Sequence, residues 1–165
     1  MAINEGFRAF LRTMRDVHQK RCGDPYSTVN HVALRVRDLD AAGELLSRSF
    51  GIGPVVKWPQ EYGLMPGEES IGVFWLGDLY FELIQQTMPE AENEDGLPPG
   101  FLVEVGFFVK DMEAELGRLA KEGYAVLWRG GGPGVKFAHL DTTPPSGIPV
   151  ELIEVTPEMD RVLEA

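Results

Sequence analysis

The chain has 165 residues, 44% of them hydrophobic, so it can bury one compact core and is too apolar to be disordered as a whole. Its formal net charge of -11 argues against a nucleic-acid partner, which would require clustered Lys and Arg. No apolar run approaches the roughly 20 residues that span a bilayer, and the single cysteine, Cys22, excludes an intrachain disulfide and indicates a reducing compartment. We therefore expect a cytoplasmic protein with no membrane partner.

The first segment, from Asn4 to about Arg21, is predicted to be an amphipathic helix. Asn4 is suited to cap its start, and Gly23-Asp24-Pro25 to stop it. Apolar residues recur along it at helical spacing, namely Phe7, Phe10, Leu11, Met14 and Val17. We treat residues 1–27 as an N-terminal helical extension that packs on the domain or on a partner subunit.

The next segment, residues 28–86, is predicted to be a βαβββ module. From Thr28 the apolar residues alternate, with Val32, Leu34 and Val36 on one face and His31, Ala33 and Arg35 on the other. Asp38 then caps a helix that ends near Phe50-Gly51. Three further strands are predicted at about Pro54–Trp58, Ser70–Leu76 and Leu79–Gln85, with a tight hairpin at Gly77-Asp78.

A second βαβββ module is predicted over residues 101–155, after a solvated and mobile acidic, Pro-rich linker at Thr87–Gly100. Its elements are a strand at Leu102–Val109, a helix at Asp111–Glu122, and strands at Ala125–Trp128, Val135–Leu140 and Ile148–Val155. The run Gly130–Gly134 lacks the ending of a phosphate loop and is interpreted as a flexible hairpin connection. The predicted fold is α+β: one domain, residues 28–165, whose two modules form curved mixed sheets with helices on the outer face.

The two modules form an internal repeat that aligns their polar residues. His31 corresponds to Glu104 and Asp38 to Asp111, both at an offset of 73 (104 − 31 and 111 − 38). The closing strands align at an offset of 69 (151 − 82), which pairs Glu82 with Glu151.

Strand parity places four of these polar residues, His31, Glu82, Glu104 and Glu151, on the face opposite the helices. A Glu buried among apolar neighbours is costly unless it is paired or bound to a cation. One divalent ion would satisfy the whole set. The alternative is that each Glu lies at a solvated strand surface and that His31 is an ordinary half-buried histidine.

Three stretches, NHVALRVRDLD, GDLYFELIQ and FAHLDTTPPSGIPVELIE, resemble the vicinal oxygen chelate superfamily. Its members include glyoxalase I, methylmalonyl-CoA epimerase, extradiol dioxygenases and bleomycin-resistance proteins. The resemblance covers about Thr28 to Glu154 and leaves the N-terminal helix outside it. It is specific for a fold and not for one function.

The resemblance implies a metal site formed by His31, Glu82 and Glu151, with Glu104 where the glyoxalase and epimerase branches usually have His. A site with three Glu favours hard ions such as Mn²⁺, Mg²⁺ or Co²⁺, and Ni²⁺ or Zn²⁺ are further candidates. The other possibility is that metal binding has been lost. The iron dioxygenase branch is disfavoured because only one His is among the four positions.

The function implied by the resemblance is a metal-dependent isomerase, epimerase or lyase that acts on a small oxygenated carbonyl substrate through an enediolate. Glu151 is the predicted base, with Glu82 or Glu104 as its counterpart on the opposite face of the intermediate. The alternative is a metal-free protein that sequesters a small molecule, as drug-resistance relatives do. The resemblance also implies a homodimer.

Some further residues are weaker candidates for substrate binding. His139 could replace the missing His or donate a proton, and Arg35 could hold an anionic substrate. Aromatic residues such as Phe74, Phe108 and Trp58 could line an apolar cavity, although aromatics in strands are more often core. The loop Gln60–Glu69 could form a lid.

Overall fold

The computed structural model describes residues 3–23, 29–64, 68–86, 102–142 and 149–165. Helix α1 spans Glu5–Arg21, and its N-cap Asn4 accepts a hydrogen bond from the backbone N–H of Phe7 at 2.8 Å, as predicted. The remaining elements are, in chain order, β1 (Val29–Val36), α2 (Leu39–Phe50), β2 (Val56–Lys57), a 3-10 helix (Gln60–Tyr62), β3 (Glu68–Leu76), β4 (Leu79–Gln86), β5 (Leu102–Phe108), α3 (Met112–Lys121), β6 (Val126–Gly132), β7 (Val135–Leu140), β8 (Val150–Val155) and α4 (Glu158–Glu164). None of the helices among these residues is long and apolar enough to cross a bilayer.

The strands form one eight-stranded mixed sheet in the order β2-β3-β4-β1-β5-β8-β7-β6. Each module contributes four neighbouring strands, and its first and last strands are parallel: β1 with β4, and β5 with β8. The modules meet where β1 pairs antiparallel with β5. The α+β fold and the βαβββ order of both modules are therefore confirmed.

Equivalent aspartates start the two crossover helices, as the repeat predicts. Asp38 accepts a hydrogen bond from the N–H of Ala41 at 2.8 Å, and Asp111 accepts one from the N–H of Ala114 at 3.0 Å. Gly51 ends α2 with a positive φ of 64°, a conformation that favours glycine. Local capping thus places both helices directly after the strands that carry the polar residues.

The outer face of the sheet is covered by α2 and α3, and each helix has its own apolar cluster. Under α2 lie Leu39, Phe74 and Leu83, and under α3 lie Met112, Leu116 and Leu152. Phe74 stacks on Phe81, with ring centroids 5.4 Å apart. Phe74 does not line the cavity of the polar residues, because its ring belongs to the apolar cluster under α2, and its role in substrate binding stays a prediction.

The inner face is covered largely by α1 and by the C-terminal helix α4. Helix α4 was not predicted from the sequence. The five apolar residues expected on the buried face of α1 are all buried, and they pack on inner-face residues such as Val73, Ile84 and Ile153. Phe108 belongs to this core and packs edge-on against His18, with ring centroids 5.1 Å apart. Its expected role in substrate binding is not supported, because the ring is enclosed by core side chains.

Two strand boundaries differ from the expectation. Strand β2 is confined to Val56–Lys57, since the preceding Pro54 has no N–H to donate to a ladder. The glycine run is not a flexible connection: Gly130–Gly132 belong to β6 and pair with β7. A Cβ at Gly132 would lie 2.5 Å from Cδ1 of Tyr62, so this close approach requires glycine.

Two predicted segments fall partly or wholly outside the described residues. The linker Thr87–Gly100 lies there entirely, and so do residues 65–67 of the expected lid. The described part of that loop holds the 3-10 helix, in which Tyr62 is fully buried and donates its hydroxyl to the carbonyl of Pro133 at 3.1 Å. This contact connects the loop of the first module to the β6-β7 hairpin of the second.

Candidate metal centre

The centre of the inner face is organised by one row of residues that crosses five neighbouring strands. In the register of the sheet, Tyr80 on β4 lies beside His31 on β1, and His31 lies beside Gly106 on β5. Gly106 lies beside Glu151 on β8, which in turn lies beside His139 on β7. Strand pairing alone therefore brings two histidines and one carboxylate into line.

A second row lies next to the first and adds two carboxylates. Ala33 on β1 is flanked by Glu82 on β4 and Glu104 on β5. The middle residues of both rows are small, which leaves room for the long side chains around them. At Gly106 the fit is closest, because a Cβ there would lie 2.0 Å from Cε1 and Nδ1 of His31.

His31 is held so that one of its nitrogens faces the carboxylates. Its Nδ1 lies 2.6 Å from Oδ1 of Asn30, and its ring stacks on Tyr80 at a centroid distance of 4.7 Å. With Nδ1–H donating to Asn30, Nε2 is the nitrogen whose lone pair a cation could use when the ring is neutral. Nε2 lies 3.2 Å from Oε2 of Glu151 and 3.8 Å from Oε1 of Glu104, and no aligned hydrogen bond reaches it from the described residues.

His139 bridges two carboxylates with its two ring nitrogens. Nδ1 lies 2.8 Å from Oε2 of Glu104, and Nε2 lies 3.0 Å from Oε1 of Glu151. Its ring also lies against Trp128 at a centroid distance of 5.4 Å. His139 is therefore positioned to pass a proton between Glu104 and Glu151.

The buried cluster strongly shifts the proton affinities of its members. Burial, together with the nearby Glu151 and Glu104, raises the pKa of Glu82 to about 8, although His31 opposes the shift. Burial also disfavours ionised Glu104, but its hydrogen bond with His139 and the positive charges of His139 and His31 outweigh burial and hold its pKa at about 2. Glu82 is consequently protonated at neutral pH, whereas Glu104 is ionised.

The pKa values of the two imidazoles are shifted so that the charged form is favoured. Burial lowers the pKa of both, but the surrounding carboxylates prevail and raise the pKa of His31 to about 9 and that of His139 to about 11. The metal-free cluster thus balances positive imidazoles against negative carboxylates. A bound cation would have to displace protons from this network.

The cavity within the cluster is small, with a volume of about 30 Å³. It is lined by Trp58, Gly63, Glu68, Ile71, Tyr80, Glu82, Glu104, Trp128, Phe137, His139, Glu151 and Ile153. Sites for organic ligands typically enclose about 300–1,000 Å³. The cavity therefore has room for an ion and water, and a larger substrate must displace part of its rim.

The donor groups fit a divalent ion. Ligand atoms of His31, Glu82 and Glu151 lie within 4.8 Å of one another, as do those of a second set, Glu104, His139 and Glu151. The first set is the better candidate, because Nε2 of His31 has no aligned hydrogen bond within the described residues and can bind a cation once its proton is displaced, whereas both nitrogens of His139 are engaged by carboxylates.

Residues 30–141 match the Glyoxalase/Bleomycin resistance protein/Dioxygenase superfamily. The chain belongs to this superfamily. No curated protein shows significant sequence similarity to it.

Solved structures of the glyoxalase superfamily share this fold. Methylmalonyl-CoA epimerase from Mycobacterium tuberculosis is similar with a TM-score of 0.64 and 19% identity, over 82% of this chain and 92% of that one. A Streptomyces coelicolor methylmalonyl-CoA epimerase variant in complex with 2-nitronate-propionyl-CoA has a TM-score of 0.61 and 20% identity, over 78% of this chain and 97% of that one. At this level of identity the likeness shows a common fold.

Within this glyoxalase fold, the four side chains predicted from the repeat lie together: His31, Glu82, Glu104 and Glu151. All belong to one chain, so the cluster needs no partner subunit to form. Arg35 is not part of it. It is buried on the same strand as His31, four residues further on, and does not line the cavity.

The repeat could not identify His139 because its counterpart is apolar. His139 pairs with Glu151, just as Val73 pairs with the equivalent Glu82 in the first module. Only strand parity could have placed it, since it shares the face of Phe137. With two histidines present, the argument against the dioxygenase branch from a single His no longer holds.

Proposed function

We propose that the protein is a metal-dependent isomerase of the epimerase type, which moves a proton at a carbon next to a carbonyl group. The observation that carries the proposal is the convergence of Glu82, Glu104 and Glu151 from both modules on one buried cavity, together with two histidines. Clusters of strongly perturbed titratable groups in a cavity are typical of acid–base catalysis.

His31, through Nε2, would hold the metal ion together with Glu82 and Glu151. Asn30 fixes the ring orientation of His31, and Gly106 provides the space for it. The mixed imidazole and carboxylate donors suit Mn²⁺, Co²⁺, Ni²⁺, Zn²⁺ or Mg²⁺. When bound, such an ion supplies Lewis-acid polarisation of the substrate carbonyl oxygen.

The protein's own groups would then move the proton. The C–H bond of the substrate breaks, its electron pair moves toward the carbonyl, and Glu151 accepts the proton. Glu104 returns a proton to the opposite face of the carbon, taking it from Nδ1 of His139. Glu151 then releases its proton to solvent and Nδ1 of His139 takes one up, which restores the starting state. The 2.8 Å between Nδ1 of His139 and Glu104 supports the proton donation, and the 3.0 Å between Nε2 and Glu151 fixes the ring.

The metal-free sequestering protein is the weaker alternative. A protein that only sequesters a ligand does not need the strongly shifted pKa values of Glu82, Glu104 and His139. No contact among the described residues favours it over acid–base chemistry.

Solvent exchange tests the proposed reaction directly. Methylmalonyl-CoA, the molecule named with the similar epimerases, would be incubated in D₂O with protein loaded with Mn²⁺ or Co²⁺, and deuterium at its C2 followed by mass spectrometry. We expect incorporation that requires the metal and that Glu151→Gln slows by about 10²-fold or more. The matched control is Glu113→Gln, which changes an exposed carboxylate paired with Arg129 and should leave the rate unchanged.

Two results would oppose the proposal. Equal deuterium exchange with and without chelator would show that the reaction does not need a metal. An unchanged exchange rate in Glu151→Gln would show that Glu151 is not the base. Deuterium exchange in another carbonyl compound, with none in methylmalonyl-CoA, would support the proposed reaction type and reject this thioester as the substrate.

A further inference from the structure

Two hydrogen-bond donors at the cavity have no role in the proposed proton transfer. The indole Nε1–H of Trp58 and the hydroxyl of Tyr80 are buried, and neither atom has a hydrogen-bond partner within the described ranges. Both side chains line the same cavity as Glu82. Buried donors are almost always satisfied, and leaving one without a partner costs free energy.

The positions of both donors are fixed by packing. The ring of Phe10, on α1, lies 6.3 Å from the ring of Trp58 and 5.2 Å from that of Tyr80, edge-on to both. Tyr80 also stacks on His31, and the backbone N–H of Trp58 donates to the carbonyl of Ile71 at 2.8 Å. Two rigidly held donors in one cavity are suited to an acceptor that enters with the substrate.

The other tryptophans show that an unpartnered indole is not general in this chain. Trp75 lies outside the cavity lining and donates its Nε1–H to the carbonyl of Phe10 at 3.4 Å. Trp128 also lines the cavity. It stacks on Phe137, with ring centroids 6.0 Å apart. Trp128 therefore provides a second tryptophan at the cavity for comparison.

The charges around the cavity select the kind of acceptor. Four carboxyl groups line it, those of Glu68, Glu82, Glu104 and Glu151. Only one imidazole of the described residues, that of His139, is in the same lining. Carboxyl groups therefore outnumber cationic groups at the cavity, which disfavours an anion and favours a neutral oxygen with lone pairs.

We propose that Trp58 and Tyr80 form a donor pair that binds a neutral carbonyl oxygen of the substrate, so that the substrate class is ketones, aldehydes, esters or thioesters that present an uncharged carbonyl here. The inference rests on the proposed function, because it names the substrate class of the same cavity. It assigns the two side chains as substrate-binding residues.

Indole NMR signals test the pair without any assay of activity. The chain has three tryptophans, so a ¹⁵N-tryptophan-labelled sample gives three indole signals, which Trp58→Phe and Trp128→Phe would assign. Formamide and formate serve as probes, since they have nearly the same shape and offer a neutral carbonyl and a carboxylate, respectively. Each would be titrated with and without Mg²⁺.

We expect formamide to move the Trp58 signal downfield and to do so at lower concentration than formate, while the Trp75 signal stays in place. Tyr80→Phe should weaken formamide binding about tenfold, the loss expected for one hydrogen bond. It should not lower the melting temperature of the ligand-free protein, because the hydroxyl has no partner among the described residues.

The proposal is overturned by a Trp58 signal that does not respond to formamide with or without Mg²⁺, which would mean that water alone satisfies the indole. Formate binding more tightly than formamide would overturn the neutral acceptor. Unchanged formamide binding in Tyr80→Phe would overturn the pair. Thermal melting measures metal binding separately. If no metal binds, the proposed function is rejected, and the response of the Trp58 signal to formamide still decides this inference.

Discussion

Gly106 sets the space in which the ring of His31 lies, and its missing side chain is as important to the site as the ligands. A Cβ added there would meet Cε1 and Nδ1 of His31 at 2.0 Å and Oδ1 of Asn30 at 2.5 Å. The imidazole would have to rotate away from Glu151, and its hydrogen bond to Asn30 would break.

Gly106→Ala is therefore expected to lower metal affinity by about 10–100-fold and to cost about 1–3 kcal/mol of unfolding free energy. Isothermal titration with Mn²⁺ and denaturant unfolding would measure the two effects. Gly117→Ala is the control, because a Cβ there meets no atom within 4 Å. It lies within α3 and should stabilise the protein by about 0.4–1 kcal/mol. Equal Mn²⁺ affinity in Gly106→Ala and the unaltered protein would contradict the assignment of His31.

Protonation of the buried cluster predicts how the stability of the metal-free protein varies with pH. The pKa of Glu82 is raised to about 8 from 4.5, mainly by burial, and that of His31 is raised to about 9 from 6.5 against the effect of burial. The folded protein therefore binds these protons more tightly than the unfolded chain. Stability should fall as pH rises, between 4.5 and 8 for Glu82 and between 6.5 and 9 for His31.

Thermal melting from pH 4.5 to 9 in chelator would check this prediction. Glu104, whose pKa is lowered to about 2 from 4.5, acts in the opposite direction, and its contribution is lost as pH falls through that lower window. In Glu82→Gln, the melting temperature should fall less steeply between pH 4.5 and 8. A melting temperature that rises from pH 6.5 to 9 would show that the cluster is not protonated as described.

At the scale of elements, α1 is the feature whose position the sequence did not predict. Its spacing of apolar residues indicated a helix and a buried face, but not which surface it covers. The structure places it on the inner face of the sheet, where Phe10 contacts the rings of Trp58, Trp75 and Tyr80. The helix thus supports the wall of the candidate site as well as the core.

Phe10→Ala is expected to cost about 3–5 kcal/mol, because it opens a cavity among packed rings. Denaturant unfolding would measure this, and the Trp58 indole signal should shift in the same variant. Leu127→Ala is the control, since this side chain is 64% exposed and its loss should change stability by less than about 0.5 kcal/mol. A similar small change in Phe10→Ala would mean that α1 does not hold this wall.

Strand periodicity and the repeat were sufficient to predict both modules, the faces of their strands and the four polar residues that meet at the seam. The repeat gave no support to His139, which was only a weaker candidate, because the first module has Val73 in the matching position. Neither periodicity nor the repeat could predict the small cavity, which depends on how side chains pack across the inner face. Alternation specifies the side of a strand, but not what covers it.

At the scale of the whole molecule, the seam between β1 and β5 joins the two modules, and it also brings their polar residues into one site. Glu82 comes from the first module and Glu151 from the second, so an ion bound by both would link the two halves of the sheet. Domain boundaries at residue 28 and the association of the chain into a homodimer stay predictions.

Metal binding should therefore stabilise the entire fold. At a Mn²⁺ concentration 100 times its dissociation constant, the gain is expected to be about 2.7 kcal/mol. Thermal melting at pH 8, with and without Mn²⁺, would measure it, and His31→Ala or Glu151→Gln should remove most of the shift. Persistence of the full shift in both variants would place the ion elsewhere.

Anomalous diffraction from a crystal grown with Mn²⁺ tests the central claim most directly. We predict a single strong peak within bonding distance of His31 Nε2 and of carboxylate oxygens of Glu82 and Glu151, with His139 still bridging Glu104 and Glu151. A map with no peak inside the cluster, or with the ion bound away from His31, would contradict the account.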